Sequence, residues 1–212
     1  MRDRRIVLRD GSEVLIRPVH HDDAPLLAAG FARLSAESRS LRFLTGKSKL
    51  SPAELRYFTE VDHHDHEAIG ALDQFDGRGL GVARYIRHPD DPQAAEVAVT
   101  VIDDWQGRGL GTELMSQLAD RAHQEGIRRF TALVAVDNAG VAGLLKSIGA
   151  DCRVSHNEPG CVEYEIELPP GGLSGELRTL LRAFGRQQLR PPKSIRDILA
   201  ALVPNWFPPA GG

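Results

Sequence analysis

Gln106, Gly107, Arg108, Gly109, Leu110, Gly111 and Thr112 form a glycine-spaced run between a predicted strand and a predicted helix. A loop of this kind presents unpaired backbone N–H groups at the positive end of a helix dipole. Such an end binds anions, and closely spaced glycines let the main chain approach a pyrophosphate without obstruction by Cβ atoms. Two other phosphate loops do not fit. A P-loop needs Gly-Lys followed by Ser or Thr, which this run does not contain. A dinucleotide fingerprint needs a glycine where Thr112 stands, and an acidic residue about 20 positions on, also missing. The five letters Gly-Arg-Gly-Leu-Gly recur at 77–81, where they lead into a strand, so the first copy is expected to be a hairpin turn only.

A second cluster, His63-His64-Asp65-His66-Glu67, carries groups that ligate metals or move protons. Its spacing matches no standard zinc pattern, and consecutive residues entering a strand point to opposite faces. A polar loop on the substrate side is the expectation, with His64 or His66 as candidates to assist proton transfer. Trp105 is expected to pack against the glycine loop.

These groups must be positioned by a mixed fold. Residues 6–8 and 14–17 flank Asp10-Gly11, a tight-turn dipeptide, and predict a hairpin. Asp22 or Asp23 can cap a helix containing Pro25, with Leu26, Leu27, Phe31 and Leu34 at helical spacing. Ser51, Pro52 and Glu54 form a capping-box signature for a second helix. Strands are predicted over 68–72, 81–86 and 96–102. A helix over 110–124 follows, with Leu114, Met115, Leu118 and Ala122 on one stripe and Gly126 at its end. The apolar run 130–136 predicts a central strand, 139–148 a last core helix, and 152–155 with 162–168 a strand pair. Pro169-Pro170-Gly171-Gly172 predicts a boundary between a domain over 1–170 and a helical appendage over 171–212. In the appendage, Arg178, Arg182, Arg186 and Arg190 stand four apart, as a dock for an acidic partner or as a solvated face.

The 212 residues are 42% hydrophobic and 26% charged, in the range of a globular chain with a real core. No apolar run reaches a bilayer's thickness and the N-terminus has no signal-peptide pattern, so a cytoplasmic location is expected. The net charge of −3 divides into +4 over 171–212 and −7 over 1–170. An acidic body argues against nucleic acid as the partner and suits an amine or basic peptide. Cys152 and Cys161 fall in segments that could pair, yet free thiols are expected in a cytoplasmic chain.

The loop resembles the signature of the GNAT acyl-CoA-dependent N-acetyltransferases, Gln/Arg-x-x-Gly-x-Gly/Ala, through Gln106, Gly109 and Gly111. The element order over residues 6–168 is similar too. The resemblance implies a GNAT fold of α/β (α+β) class, a mixed, mostly antiparallel central sheet flanked by helices. It implies that Gln106, Gly107, Arg108, Gly109, Leu110, Gly111 and Thr112 hold the diphosphate of acetyl-CoA, the cosubstrate. Val99, Thr100 and Val101 would pair with the pantetheine arm, and Asn138 would contact the coenzyme or simply cap a helix.

Three further stretches, 34–43, 81–84 and 95–99, look like bacterial protein lysine acetyltransferases of the Pat type. That resemblance makes Glu96 the general base and acyl-CoA-synthetase-like proteins the target class. A carboxylate of ordinary pKa, about 4.3, is a feeble base, so apolar neighbours such as Val97, Tyr85 or Phe43 are expected to raise it. The tyrosine that many relatives use as the acid is replaced by Leu145; water or Ser147 is left for that role. The expected activity is acetyl transfer from acetyl-CoA to a protein lysine. A small-molecule amine acceptor and a CoA-sensing module without catalysis are the alternatives.

Overall fold

The computed structural model describes residues 3–36, 38, 48–135 and 161–168. The predicted helix over 139–148, the strand over 152–155, the boundary at 169–172 and the arginine-rich appendage lie outside these residues, as do Asn138, Leu145, Ser147, Phe43 and Cys152.

Among the described residues seven strands form one sheet in the order β1 to β7: β1 (Arg4–Val7), β2 (Glu13–Pro18), β3 (His66–Asp73), β4 (Gly79–His88), β5 (Asp91–Val101), β6 (Arg129–Ala135) and β7 (Cys161–Glu167). Every neighbouring pair is antiparallel except β5 and β6, which the connection through helix α3 (Leu110–Gln124) makes parallel. This is the predicted mixed, mostly antiparallel sheet. The run 130–136 predicted a central strand; β6 is internal but only one strand from the edge.

Local chemistry explains the shorter elements. Gly11 takes φ +83° in the β1–β2 turn. Helix α1 (Ala24–Ala32) follows a 3-10 turn at His21–Asp23 and has Pro25 in its first turn. Helix α2 (Pro52–Thr59) begins with the predicted capping box: the Ser51 hydroxyl accepts from the Glu54 N–H, and the Glu54 carboxylate accepts from the Ser51 N–H.

The register assigns the two faces of the sheet. Ile16, Ala71, Gly81 and Val101 lie across one row, Ile69, Ala83 and Val99 across the next, and Tyr85 pairs with Val97. This face is covered by α3, whose Leu114, Met115, Leu118 and Ala122 are buried as the stripe predicts. The opposite face carries the rows His66–Ile86–Glu96, Ala68–Arg84–Ala98 and Gly70–Val82–Thr100, under α1 and α2.

Candidate active site

The glycine loop has the geometry its sequence predicts. Gly107 and Gly109 take φ +75° and +93°, left-handed values that side-chain-bearing residues avoid, and Gly109 is the N-cap of α3. The first helical hydrogen bond runs from the Glu113 N–H to the Gly109 carbonyl at 3.1 Å. Ahead of it, the N–H groups of Leu110, Gly111 and Thr112 have no helical partner, and among the described residues no side chain caps them. Their dipoles and the helix end make a seat for an anion.

Three side chains brace this loop. The Gln106 amide donates to the Val101 carbonyl at 3.0 Å and to the Ser38 hydroxyl at 3.5 Å, tying the loop to the end of β5. The Arg108 guanidinium lies 4.8 Å over the Trp105 ring, which places Trp105 in the supporting role expected of it. Arg108 also reaches Asp10 in the β1–β2 turn at 3.3 Å. The first copy of the glycine pentapeptide, at 77–81, forms the β3–β4 turn, with Gly77 at φ +70°, and continues into β4.

Beside the loop, the sheet divides. β5 pairs with β6 only at Ala94, Ala95 and Glu96, whereas β6 pairs with β7 over its full length. The Ile102 N–H bonds to the Leu80 carbonyl at 3.0 Å, so the alternate residues Thr100, Ala98 and Glu96 direct their main-chain groups toward β4. Those of Val97, Val99 and Val101 therefore face the fork. The Val101 carbonyl is taken by Gln106; the last rung, Glu96 to Thr131, engages the Val97 N–H, and beyond it the Val97 carbonyl and the Val99 main chain have no β6 partner.

Glu96 is the last β5 residue paired with β6, at the apex of the fork, and it is 5% exposed. Its expected neighbours need correction. Val97 and Tyr85 point to the opposite face, as strand alternation dictates, and pack under α3. Glu96 instead shares its face with Arg84, a diagonal neighbour across the β4–β5 pair, and with Tyr57 of α2. Burial and the Glu96 charge push the Tyr57 phenol up to about 12, against the opposing pull of Arg84.

Arg84 is 2% exposed. Its guanidinium stacks 4.5 Å over the Phe58 ring, donates to the Phe58 carbonyl at 3.2 Å and to His66 Nε2 at 3.1 Å, and leaves Nε unpartnered. Burial lowers its pKa to about 10, so it remains charged at neutral pH. Burial and, secondarily, Arg84 lower His66 to about 3, so its ring is neutral and Nε2 is the acceptor. That excludes His66 as a cation near neutrality.

The other members of the histidine cluster turn elsewhere. The His63 ring bonds the buried Glu67 carboxylate at 2.7 Å, Glu67 pairs with Arg121 of α3 at 3.0 Å, and His64 bonds Glu125. Asp62 accepts from the N–H groups of His64, Asp65 and His66. These contacts fasten the β3 entry to α3; of the cluster, only His66 is placed on the row that Glu96 shares. Among the described residues no three His, Cys, Asp or Glu side chains converge as a metal site.

Arg84 and Tyr57 carry no assigned role in the sequence reading. The available signal for Arg84 was a lone charge inside the apolar run Val82-Ala83-Arg84-Tyr85-Ile86. Tyr57 reads as one more apolar residue of a helix until its hydroxyl is found buried without a partner among the described residues.

Comparison with known proteins gives a consistent answer. The family description "Acetyltransferase (GNAT) family" matches residues 33–150. The Acetyltransferase Pat of Mycolicibacterium smegmatis is 33% identical over 165 residues, 78% of this chain and 49% of that protein. The chain thus spans about half the length of that relative. Acetyltransferase PA5475 of Pseudomonas aeruginosa is 35% identical over 144 residues, 67% of this chain and 77% of that protein. The crystal structure of the GNAT domain of S. lividans PAT superposes with a TM-score of 0.68 at 31% identity, covering 78% of this chain and 97% of that one.

Proposed function

The chain belongs to the acetyltransferase (GNAT) family, and from that membership and the forked site we propose that it transfers acetyl from acetyl-CoA to a protein lysine. The observation that carries the reading is the alignment of three features along one edge. Uncapped amides open α3, the β5 edge from the Val97 carbonyl through Val99 has no β6 partner, and Glu96 stands where the fork closes. The amides of Leu110, Gly111 and Thr112, with the Gly107–Gly109 turn, would hold the coenzyme diphosphate. The Val97 and Val99 main chain would bond the pantetheine amides as a strand does, leaving the thioester near Glu96.

The reaction needs a neutral amine. A lysine ammonium of pKa about 10.4 costs about 4.6 kcal/mol to deprotonate at pH 7. Attack of its nitrogen on the thioester carbonyl forms the amide, breaks the C–S bond and releases the CoA thiolate, whose pKa of about 8.5 makes it a fair leaving group. Glu96 takes the proton that the nitrogen loses, directly or through water, and solvent can protonate the thiolate. An N–H of β5 at the fork would polarise the carbonyl. Acyl-CoA-synthetase-like proteins are the suggested acceptors, supported by the resemblance over 81–84 and 95–99.

Thiol release from acetyl-CoA, measured with a protein panel and an amine panel, tests this. Glu96→Gln should slow turnover by about a hundredfold or more while leaving CoA affinity unchanged. Equal rates for Glu96→Gln and wild type across pH would remove the base assignment. Saturable CoA binding without release in either protein would identify a binding module. Release confined to the amine panel would identify a small-molecule enzyme.

A further inference from the structure

Tyr57 of α2 is placed the wrong way round for a tyrosine near a surface. The residue is only partly buried, yet its hydroxyl oxygen is sealed from solvent and has no hydrogen-bond partner among the described residues. The usual arrangement is the reverse, an apolar ring inside and a polar tip in water. A buried hydroxyl left alone is costly, and a ligand atom that completes it recovers that cost.

The register shows where such an atom would stand. The Tyr57 ring lies 5.2 Å from the His66 ring, and His66 begins the row His66–Ile86–Glu96. Tyr57 thus sits over the row that ends in the proposed base, and Ile86 between them is itself only partly buried. The hydroxyl feels the Glu96 charge, which adds to the effect of burial against the pull of Arg84, but it is not bonded to that carboxylate. The other polar group of the row, His66, already gives Nε2 to Arg84. In the acetyl-transfer reading the coenzyme runs along the β5 main chain in the fork, whereas the Glu96 side chain stands on the α2 face. An amine that meets Glu96 there does so beneath Tyr57.

We infer that Tyr57 is an acceptor-binding residue: its hydroxyl oxygen accepts one N–H of the attacking primary amine while Glu96 accepts the other, which leaves the nitrogen lone pair free to face the thioester carbon. The inference rests on the acetyl-transfer reading above. A carboxylate has several acceptor positions, so Glu96 can serve the amine alongside its other contacts. Tyr57 exchanges no proton: the hydrogen lost by nitrogen goes to Glu96, and the phenol keeps its own. Two acceptors suit a primary amine, because N-methylation removes one of its two N–H groups.

The test is Tyr57→Phe, which keeps the ring and its contacts with Phe58 and His66. kcat/KM is measured with acetyl-CoA and a lysine-bearing acceptor active in the panels, and with the same acceptor carrying N-methyllysine. With lysine, Tyr57→Phe should lose about two- to tenfold, the share of one neutral hydrogen bond. With N-methyllysine it should match wild type, since the single N–H is given to Glu96, so the preference for lysine shrinks by the same factor. Affinity for CoA should not change. Equal loss with both acceptors, loss with neither, or an N-methyl acceptor inert with both proteins would overturn the proposal, the last because steric exclusion would then set the preference. No thiol release by wild type with any acceptor would instead bring down the acetyl-transfer reading, and this proposal with it.

A second measurement needs no turnover. Removing an unpartnered buried hydroxyl relieves the empty protein, so Tyr57→Phe should unfold at the same urea concentration as wild type or a higher one. A lower midpoint would mean that the hydroxyl is bonded within the fold, and would overturn the proposal.

Discussion

The duplicated glycine pentapeptide offers a matched pair of substitutions, Gly107→Ala and Gly77→Ala. Both glycines are left-handed, at φ +75° and +70°, and a Cβ at either meets nothing within 4 Å. The backbone penalty is therefore the same, about 1–2 kcal/mol for placing alanine in that region. Each kcal/mol lowers the midpoint of a chain this size by about 2–4 °C, so calorimetry of the empty protein should find Gly77→Ala lowered by that amount and Gly107→Ala by no more. Affinity for CoA should separate them. At Gly107 the loop can relax when empty, and binding must restore the strained form; a penalty of 1–2 kcal/mol then appears as a Kd raised about 5- to 30-fold. At Gly77 the strain falls on a hairpin turn, and Kd measured by titration calorimetry should be that of wild type. Equal Kd values for both variants, or a larger loss at Gly77, would refute the assignment of the 106–112 loop as the anion seat.

Two more perturbations follow from named contacts. Gly81→Ala would bring its Cβ to 2.9 Å from the Thr100 carbonyl and 3.2 Å from Leu114, forcing β4 from β5; a stability loss of about 1–3 kcal/mol is expected in urea unfolding. His66 has a folded pKa near 3 against an unfolded value of about 6.5, so the unfolded chain binds the extra proton between them. The stabilisation from its neutral ring is complete above about pH 6.5 and is lost as pH falls toward 3. His66→Gln should flatten that part of the stability–pH curve, and an unchanged slope would count against a buried neutral ring.

Local signals carried most of the elements. Ser51-Pro52-Glu54 predicted the start of α2, and the Leu114, Met115, Leu118, Ala122 stripe its packing partner α3, because caps and helical stripes depend on residues within one turn of each other. Strand limits were less legible. β5 starts at Asp91, five residues before the alternation that announced it, since its first residues are held by β4 and β6 rather than by their own pattern. The glycine loop was readable because left-handed backbone needs glycine. The surroundings of Glu96 were not: which residues share its face depends on the register of three strands. A one-residue alternation puts Tyr85 and Val97 behind the sheet and Arg84 beside the carboxylate. Glu67 likewise reads as one member of a polar loop, and only the meeting of β3 with α3 shows it 1% exposed and paired.

With only three rungs between β5 and β6, the sheet is built as two leaves on a short spine, β1 to β5 and β6 with β7. Such a seam is weakest at its open end, where main-chain donors and acceptors of one leaf find no mate on the other. A molecule with amides of its own laid along that opening would act as mortar, restoring the missing rungs. An opening that took such a guest would thus make it a structural member while it stayed.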